Sequence, residues 1–186
     1  MSPVDLSMYD KRNYRVGAGV LKRIAWYLVN AVVFQSWLCP PSMPKRGLLR
    51  LFGASVGAHV VIKPRVNIKY PWLLRIGSSA WIGENVWIDN LAQVTIGDNV
   101  CISQEAYLLT GNHDYKDRRF GLMVAPVTVR DGAWIGARAV VCPGVSIGEG
   151  SVLTAGSVAQ ADTQAMQVYR GNPARICRER RMNGGN

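Results

Sequence analysis

The stretch VRDGAWIGARAVVCPGVSIGEGSVLTAGSVA, residues 129–159, carries an apolar side chain at every sixth position. Val129, Ile135, Val141, Ile147, Leu153 and Ala159 mark the beat, and glycine follows it at Gly136 and Gly148. A helix face needs residues three and four apart, so this period is not helical. Repetition at six signals a parallel β-helix, in which each hexapeptide supplies one short strand and one turn. Toward the N-terminus the same beat falls at Val56, Ile62 and Ile68, then Ile76, Ile82 and Ile88, then Ile96, Ile102 and Leu108.

The slips in the beat define its geometry. From Ile68 to Ile76, and from Ile88 to Ile96, the step is eight residues rather than six. Three hexapeptides therefore make one triangular coil, and two extra residues bulge at the same corner of successive coils. Stacking predicts a first column of Val56, Ile76, Ile96, Val129 and Ile147, and a second of Ile62, Ile82, Ile102, Ile135 and Leu153. Ile68, Ile88, Leu108, Val141 and Ala159 form the third. At about 4.8 Å per coil, five coils make a prism roughly 24 Å long. No coil buries these residues alone, so the columns are the core. Between Leu108 and Val129 a loop is inserted, Gly111 to Pro126, and loops on a rigid scaffold are where chemistry concentrates.

Outward from the coils, three segments are expected: 1–53 with an apolar helix, 54–160 as the β-helix with its loop at 111–126, and 161–186 as a turn, short helix and tail. The N-terminal helix is read from Val20 to Leu38, stopped by Pro40 and Pro41, with a second from Lys45 to Phe52. Its uncharged part, Ile24 to Leu38, is shorter than the roughly 20 apolar residues of a membrane span. It either caps the open end of the prism, packs on a neighbouring subunit, or lies shallowly on a membrane with Lys22, Arg23, Lys45, Arg46 and Arg50 toward lipid phosphates. Trp72, Trp81 and Trp87 are expected outside the early coils, available to a sugar ring or to another subunit. Gly171-Asn-Pro-Ala reads as a turn entering a basic helix, Ala174 to Arg181.

The chain has 186 residues and a net charge of +10, which suits anionic partners such as phosphorylated cofactors or a lipid surface. Its basic residues are dispersed and no nucleic-acid motif accompanies them, so nucleic acid is not expected. Cys39, Cys101, Cys142 and Cys177 are far apart, with no CxxC and no secretory signal, which favours reduced thiols in the cytoplasm.

The inserted loop opens Thr110-Gly-Asn-His-Asp-Tyr, and His113 is one of only two histidines. In a polar loop following directly from a rung, its imidazole can take a proton from an alcohol near neutral pH. His59, in a turn of the first coil, reads as surface. Two histidines at least two rungs apart do not make the roughly three protein ligands of a catalytic zinc site, so no metal is expected. Arg175 and Arg178 either clasp nucleotide phosphates or are a solvated basic face.

Together the hexapeptide columns, the TGNHDY loop, Pro126 leading back into the beat and the closing RGNPAR resemble the hexapeptide-repeat acyltransferases. Within them the chain is most similar to the colanic-acid-type exopolysaccharide O-acetyltransferases, related to the maltose and galactoside acetyltransferases. The Tyr70-Pro71-Trp72 bulge and the apolar helix point to that branch. The resemblance implies a left-handed parallel β-helix assembled as a homotrimer, with acetyl-CoA in the groove between prisms. It implies O-acetylation of a sugar hydroxyl of an exopolysaccharide precursor, which could be lipid-linked, at the inner face of the plasma membrane. N-acetylation of an amino sugar or small xenobiotic is the alternative, and a non-catalytic trimeric scaffold a third. By position His113 matches the family's general base, acting by direct attack of the acceptor on the thioester, and Asn85 a polar residue near the acceptor, though it reads equally as a turn asparagine. Trp134, Gly136 and Ala137 match the lining of the acetyl group and its oxyanion; Ala155, Gly156 and Ser157 match the pantetheine groove; Arg175 and Arg178 match the CoA-phosphate contacts. Gln160-Ala161 stand where many relatives carry a basic pair. The N-terminus does not align with the acidic residue that orients the histidine in galactoside-type enzymes, which leaves Asp114 or a main-chain carbonyl for that role.

Overall fold

The computed structural model describes residues 3–9, 14–39 and 41–183. Its body is a parallel β-helix with three faces. The first face stacks Ser55–Val56, Leu74–Ile76, Val94–Ile96, Val127–Val129 and Ser146–Ile147. The second stacks Val61–Ile62, Trp81–Ile82, Cys101–Ile102, Trp134–Ile135 and Val152–Leu153, and the third Asn67–Ile68, Trp87–Asp89, Tyr107–Leu109, Val140–Val141 and Val158–Ala159. Registers join Val56 to Ile76, Ile82 to Ile102 and Leu108 to Val141, so the three columns stand as the beat requires. All fifteen column residues are buried.

The glycines after the beat have a steric cause. A Cβ on Gly57 would lie 2.6 Å from the Gly77 carbonyl carbon, and one on Gly77 2.6 Å from that of Gly97. Successive coils pass so closely there that only hydrogen fits. The turns between the first and second faces put His59, Ser79, Asn99, Gly132 and Gly150 at positive φ, and those between the second and third do the same to Arg65, Asn85, Glu105, Arg138 and Gly156.

The open end of the prism is closed by two helices, α1 (Val20–Val29) and α2 (Ser42–Leu51). Edge carbonyls of the first coil need donors. Arg50 gives its guanidinium to Val56 O and Gly57 O, and Lys45 gives Nζ to Ile62 O and Lys63 O at 3.2 and 3.1 Å. Trp26 Nε1 donates to Ile68 O at 2.8 Å. Trp26, Phe34 and Leu49 are buried in the core, so this end of the chain is a cap. Of the five cations considered for lipid, Lys45 is buried and Arg46 and Arg50 hold edge carbonyls instead.

Four local expectations are corrected. The N-terminal helix does not run to Leu38: α1 ends at Val29 and a wider π-type turn, Asn30–Phe34, follows. That turn faces Asn30 toward Asn67 and Ile68 and buries Phe34 against Trp26. Pro40 lies outside the described residues, and α2 starts at Ser42 rather than Lys45. The segment expected as a C-terminal helix is a strand, Ala174–Glu179, paired antiparallel with Gln167–Gly171, which itself extends the second face by pairing Val168 with Val152. The exposed ladder of the last coil decides its state, because an edge left bare costs more than helix propensity returns. Trp72 is also less exposed than expected: its Nε1 donates to Val16 O at 2.7 Å and its ring packs on the core.

Gly77→Ala should lower the unfolding free energy by about 1–3 kcal/mol, since the clash is with backbone that cannot turn away. Gly47→Ala, in α2 with nothing within 4 Å, should raise it by about 0.5–1 kcal/mol. Urea titrations of both variants check the pair.

Candidate active site

Every irregularity of the beat falls at the corner between the third and first faces. The first eight-residue step makes the bulge at Tyr70–Leu73, the second makes Asn90–Gln93, and the long insertion leaves from Thr110. Buried polar side chains close this corner. Asn90 accepts from Tyr70 N–H at 2.9 Å and donates Nδ2 to the Tyr70 and Leu73 carbonyls. Thr110 Oγ1 donates to Asp89 O at 2.8 Å and accepts from Ala92 N–H at 3.0 Å.

On this base the insertion forms a hairpin, Gly111–His113 against Leu122–Val124. His113 ends its first strand, stacked on Phe120 at 4.4 Å and 9° with Tyr9 beside it at 5.8 Å. Its Nδ1 lies 3.1 Å from Phe120 O. A carbonyl only accepts, so this bond puts the proton on Nδ1 and leaves the Nε2 lone pair free. The orienting group is therefore a main-chain carbonyl. Asp114 instead accepts from Lys116 N–H at 3.0 Å.

The cavity around His113, about 650 Å³, is lined by Tyr9, Tyr14, Val16, Arg23, Lys69, Tyr70, Leu91 and Leu122. Tyr14 donates to Leu91 O at 3.0 Å, and burial, with Tyr70 and Asp89 nearby, holds its phenol protonated far above the usual range. Asp5 N–H reaches Arg118 O at 2.9 Å and its carboxylate approaches Arg118 at 3.8 Å, so the N-terminal segment pins the loop. Sequence reasoning found His113 but none of these neighbours. The shared corner of the two bulges was the available signal for Tyr70 and Leu91.

The other predicted site residues lie elsewhere. Trp134 is 47% exposed on the second face, its Nε1 donating to Ser103 Oγ at 2.9 Å. It lines a groove of about 770 Å³ with Val152, Thr154, Val168 and Arg178. Arg175 and Arg178, three apart on a strand, would ordinarily face opposite ways. A register shift pairs Val168 with Arg178 but Tyr169 with Ile176, leaving Cys177 extra, so both arginines share the outward side of Val168 and Arg170.

Asn85, Gly136, Ala137, Ala155 and Gly156 stack along the corner between the second and third faces. Gly136 N–H is committed to Leu153 O at 2.7 Å, whereas among the described residues the Ala137 N–H has no partner. Ala155 and Gly156 are exposed, and a Cβ on Gly156 would meet nothing within 4 Å. Ser157, by contrast, is buried, its hydroxyl held by Thr154 at 2.9 Å and by Gly171 N–H at 3.0 Å. In one chain, then, His113 and these residues occupy different corners, and Asn85 does not line the His113 cavity.

Residues 126–159 match the family model described as bacterial transferase hexapeptide (six repeats). The chain is 40% identical over 179 residues to the putative colanic acid biosynthesis acetyltransferase WcaF of Escherichia coli (strain K12), covering 95% of this chain and 97% of that protein. It is 35% identical over 144 residues to galactoside O-acetyltransferase of the same strain, covering 75% and 71%. The crystal structure of a hexapeptide-repeat acetyltransferase of Vibrio cholerae O1 biovar eltor, complexed with acetyl coenzyme A, matches with a TM-score of 0.79 at 27% identity, covering 89% and 92% of the two chains. Galactoside acetyltransferase in complex with coenzyme A matches at 0.76 and 30% identity, covering 87% and 82%. The chain belongs to the hexapeptide-repeat acetyltransferases.

Asn90→Ala should cost about 2–3 kcal/mol of stability, because it strands the Tyr70 and Leu73 polar groups that Asn90 satisfies. Thermal unfolding monitored by circular dichroism checks it, and a fall no larger than a surface substitution gives would contradict it.

Proposed function

We propose that the protein is an acetyl-CoA-dependent O-acetyltransferase acting on a sugar hydroxyl of an exopolysaccharide precursor, with His113 as general base. The single observation that carries this is the bond from His113 Nδ1 to Phe120 O, which presents Nε2 as an acceptor in a cavity of tyrosines and cations. The names of the similar proteins, a putative colanic acid biosynthesis acetyltransferase and a galactoside O-acetyltransferase, support the acceptor class.

In this reading Nε2 takes the acceptor's hydroxyl proton as its oxygen bonds to the thioester carbonyl carbon. The tetrahedral oxyanion is met by a backbone N–H, for which that of Ala137 is uncommitted. The C–S bond then breaks, and the imidazolium returns its proton to the departing thiolate. The donor would lie along this side of the prism: Trp134 offers a flat wall and Arg178 a cation in the groove, Arg175 shares the side of Arg178, and the small exposed Ala155 and Gly156 at the adjoining corner would allow a close approach. Asn85 shares that edge and would face the acceptor.

Because loop and groove sit at different corners of one chain, we propose that the working site lies between copies in a homotrimer. The four cysteines are unpaired, which suits the cytoplasm, where the acyl donor is made. No helix among the described residues is long and apolar enough to cross a membrane. The exposed apolar residues Leu21, Leu28 and Val32 of α1 and the turn after it support shallow contact with the inner membrane face, where a lipid-linked acceptor would be met.

Release of free thiol from acetyl-CoA, measured across free oligosaccharides, nucleotide sugars, amino sugars and lipid-linked saccharides, tests the reading. His113→Ala should lower the acceptor-dependent rate roughly a hundredfold or more while the fold survives. Arg178→Ala should weaken CoA binding roughly tenfold with little change in kcat. Full activity without His113 would remove it from the mechanism, and amino sugars as the sole acceptors would make the enzyme an N-acetyltransferase.

A further inference from the structure

Beside the His113 cavity a second one, about 480 Å³, runs between α1 and the third face. Arg23, Lys69 and Tyr70 line both, so the two adjoin at these side chains and together make a two-part channel surface beside His113. The far part suits a saccharide. Trp87, 43% exposed and stacked on Tyr107 at 4.7 Å, offers a flat apolar platform; Asn67 Oδ1 is taken by Asn30 and Gln35, which leaves Asn67 Nδ2 and Gln35 Oε1 to offer hydrogen bonds.

The charge of the channel is one-sided. No described residue lining either part is a carboxylate, while two are cations. Lys69 is neutralised by Asp89 at 2.8 Å. Arg23 makes no ion pair and no side-chain hydrogen bond among the described residues, although most other guanidinium and ammonium groups of this end are committed to edge carbonyls or to an aromatic face. An uncommitted guanidinium at the junction of a channel, with no carboxylate lining it, is complementary to a ligand anion.

We propose that Arg23 is the specificity-determining residue of the acceptor channel, and that the acceptor carries a phosphate or carboxylate close to the sugar ring that presents its hydroxyl to His113. This rests on the preceding reading that the acceptor occupies the His113 cavity. The guanidinium would take the anion's oxygens in a bidentate bond, and Tyr70 and Trp87 would carry the sugar rings on either side.

The test is direct binding, by calorimetry, of glucose 1-phosphate, glucuronate and methyl glucoside to the full chain, with wild type, Arg23→Gln, Arg23→Lys and Lys22→Gln. Wild type should bind one or both charged probes roughly tenfold or more tighter than the neutral one, in a salt-dependent way. Arg23→Gln should abolish that preference without changing methyl glucoside binding, Arg23→Lys should restore part of it, and Lys22→Gln should leave it intact. Which charged probe wins separates phosphate from carboxylate. Equal binding of charged and neutral probes to wild type, a preference that survives Arg23→Gln, or no binding of either charged probe would overturn the proposal. Charge-selective binding together with His113-independent turnover would overturn the general-base reading and leave the anion site standing.

Discussion

The structure depends on the close approach of one coil to the next. A hexapeptide strand of two or three residues has almost no stability of its own, and its apolar side chain is buried only when identical neighbours sit above and below. Backbone ladders at every face enforce that stacking, and the glycines at Gly57, Gly77 and Gly97 let it proceed without a gap. The result is a rod whose registers are locked, so any residue added at a corner must project outward. In the first three coils it does so at the same corner.

That rigidity leaves two ends to be satisfied. At the first coil the donors come from side chains, with Lys45, Arg50 and Trp26 each reaching a strand carbonyl. At the last coil it is N–H groups that are left over, and the chain beyond supplies their acceptors: Thr154 N–H reaches Tyr169 O at 2.9 Å and Ser146 N–H reaches Asp162 Oδ1 at 2.8 Å, with Ala174–Glu179 folded back on Gln167–Gly171. The basic character of the N-terminal segment thus has a structural cause for several of its charges. Arg23, free of that task, faces the channel instead.

The fifteen column positions were legible because a period of six has one structural interpretation, and the eight-residue steps marked the corner where His113 would emerge. The state of Ala174–Glu179 was not legible, since Arg175, Arg178 and Arg181 suit an exposed helix equally well and only the bare edge beneath them decides. The common facing of Arg175 and Arg178 depends on one extra residue, Cys177, that no pattern announces. His113 could be picked out by its loop, but not its orienting partner: a carbonyl has no sequence signature, and Phe120 arrives only through the hairpin turn. Tyr9, Tyr14 and Arg23 reach the site by tertiary contact from a segment with no repeat.

The central claim is that the histidine of one copy serves the groove of another. It is tested most directly by mixing two inactive chains, His113→Ala and Ala155→Trp, the latter filling the groove at an exposed position. Unfolding and refolding them together in equal amounts lets mixed oligomers form. A site shared between copies regains about a quarter of wild-type activity, the fraction of interfaces that pair an intact loop with an intact groove. Activity no higher than that of the separate variants would place the whole site within one chain and contradict the account.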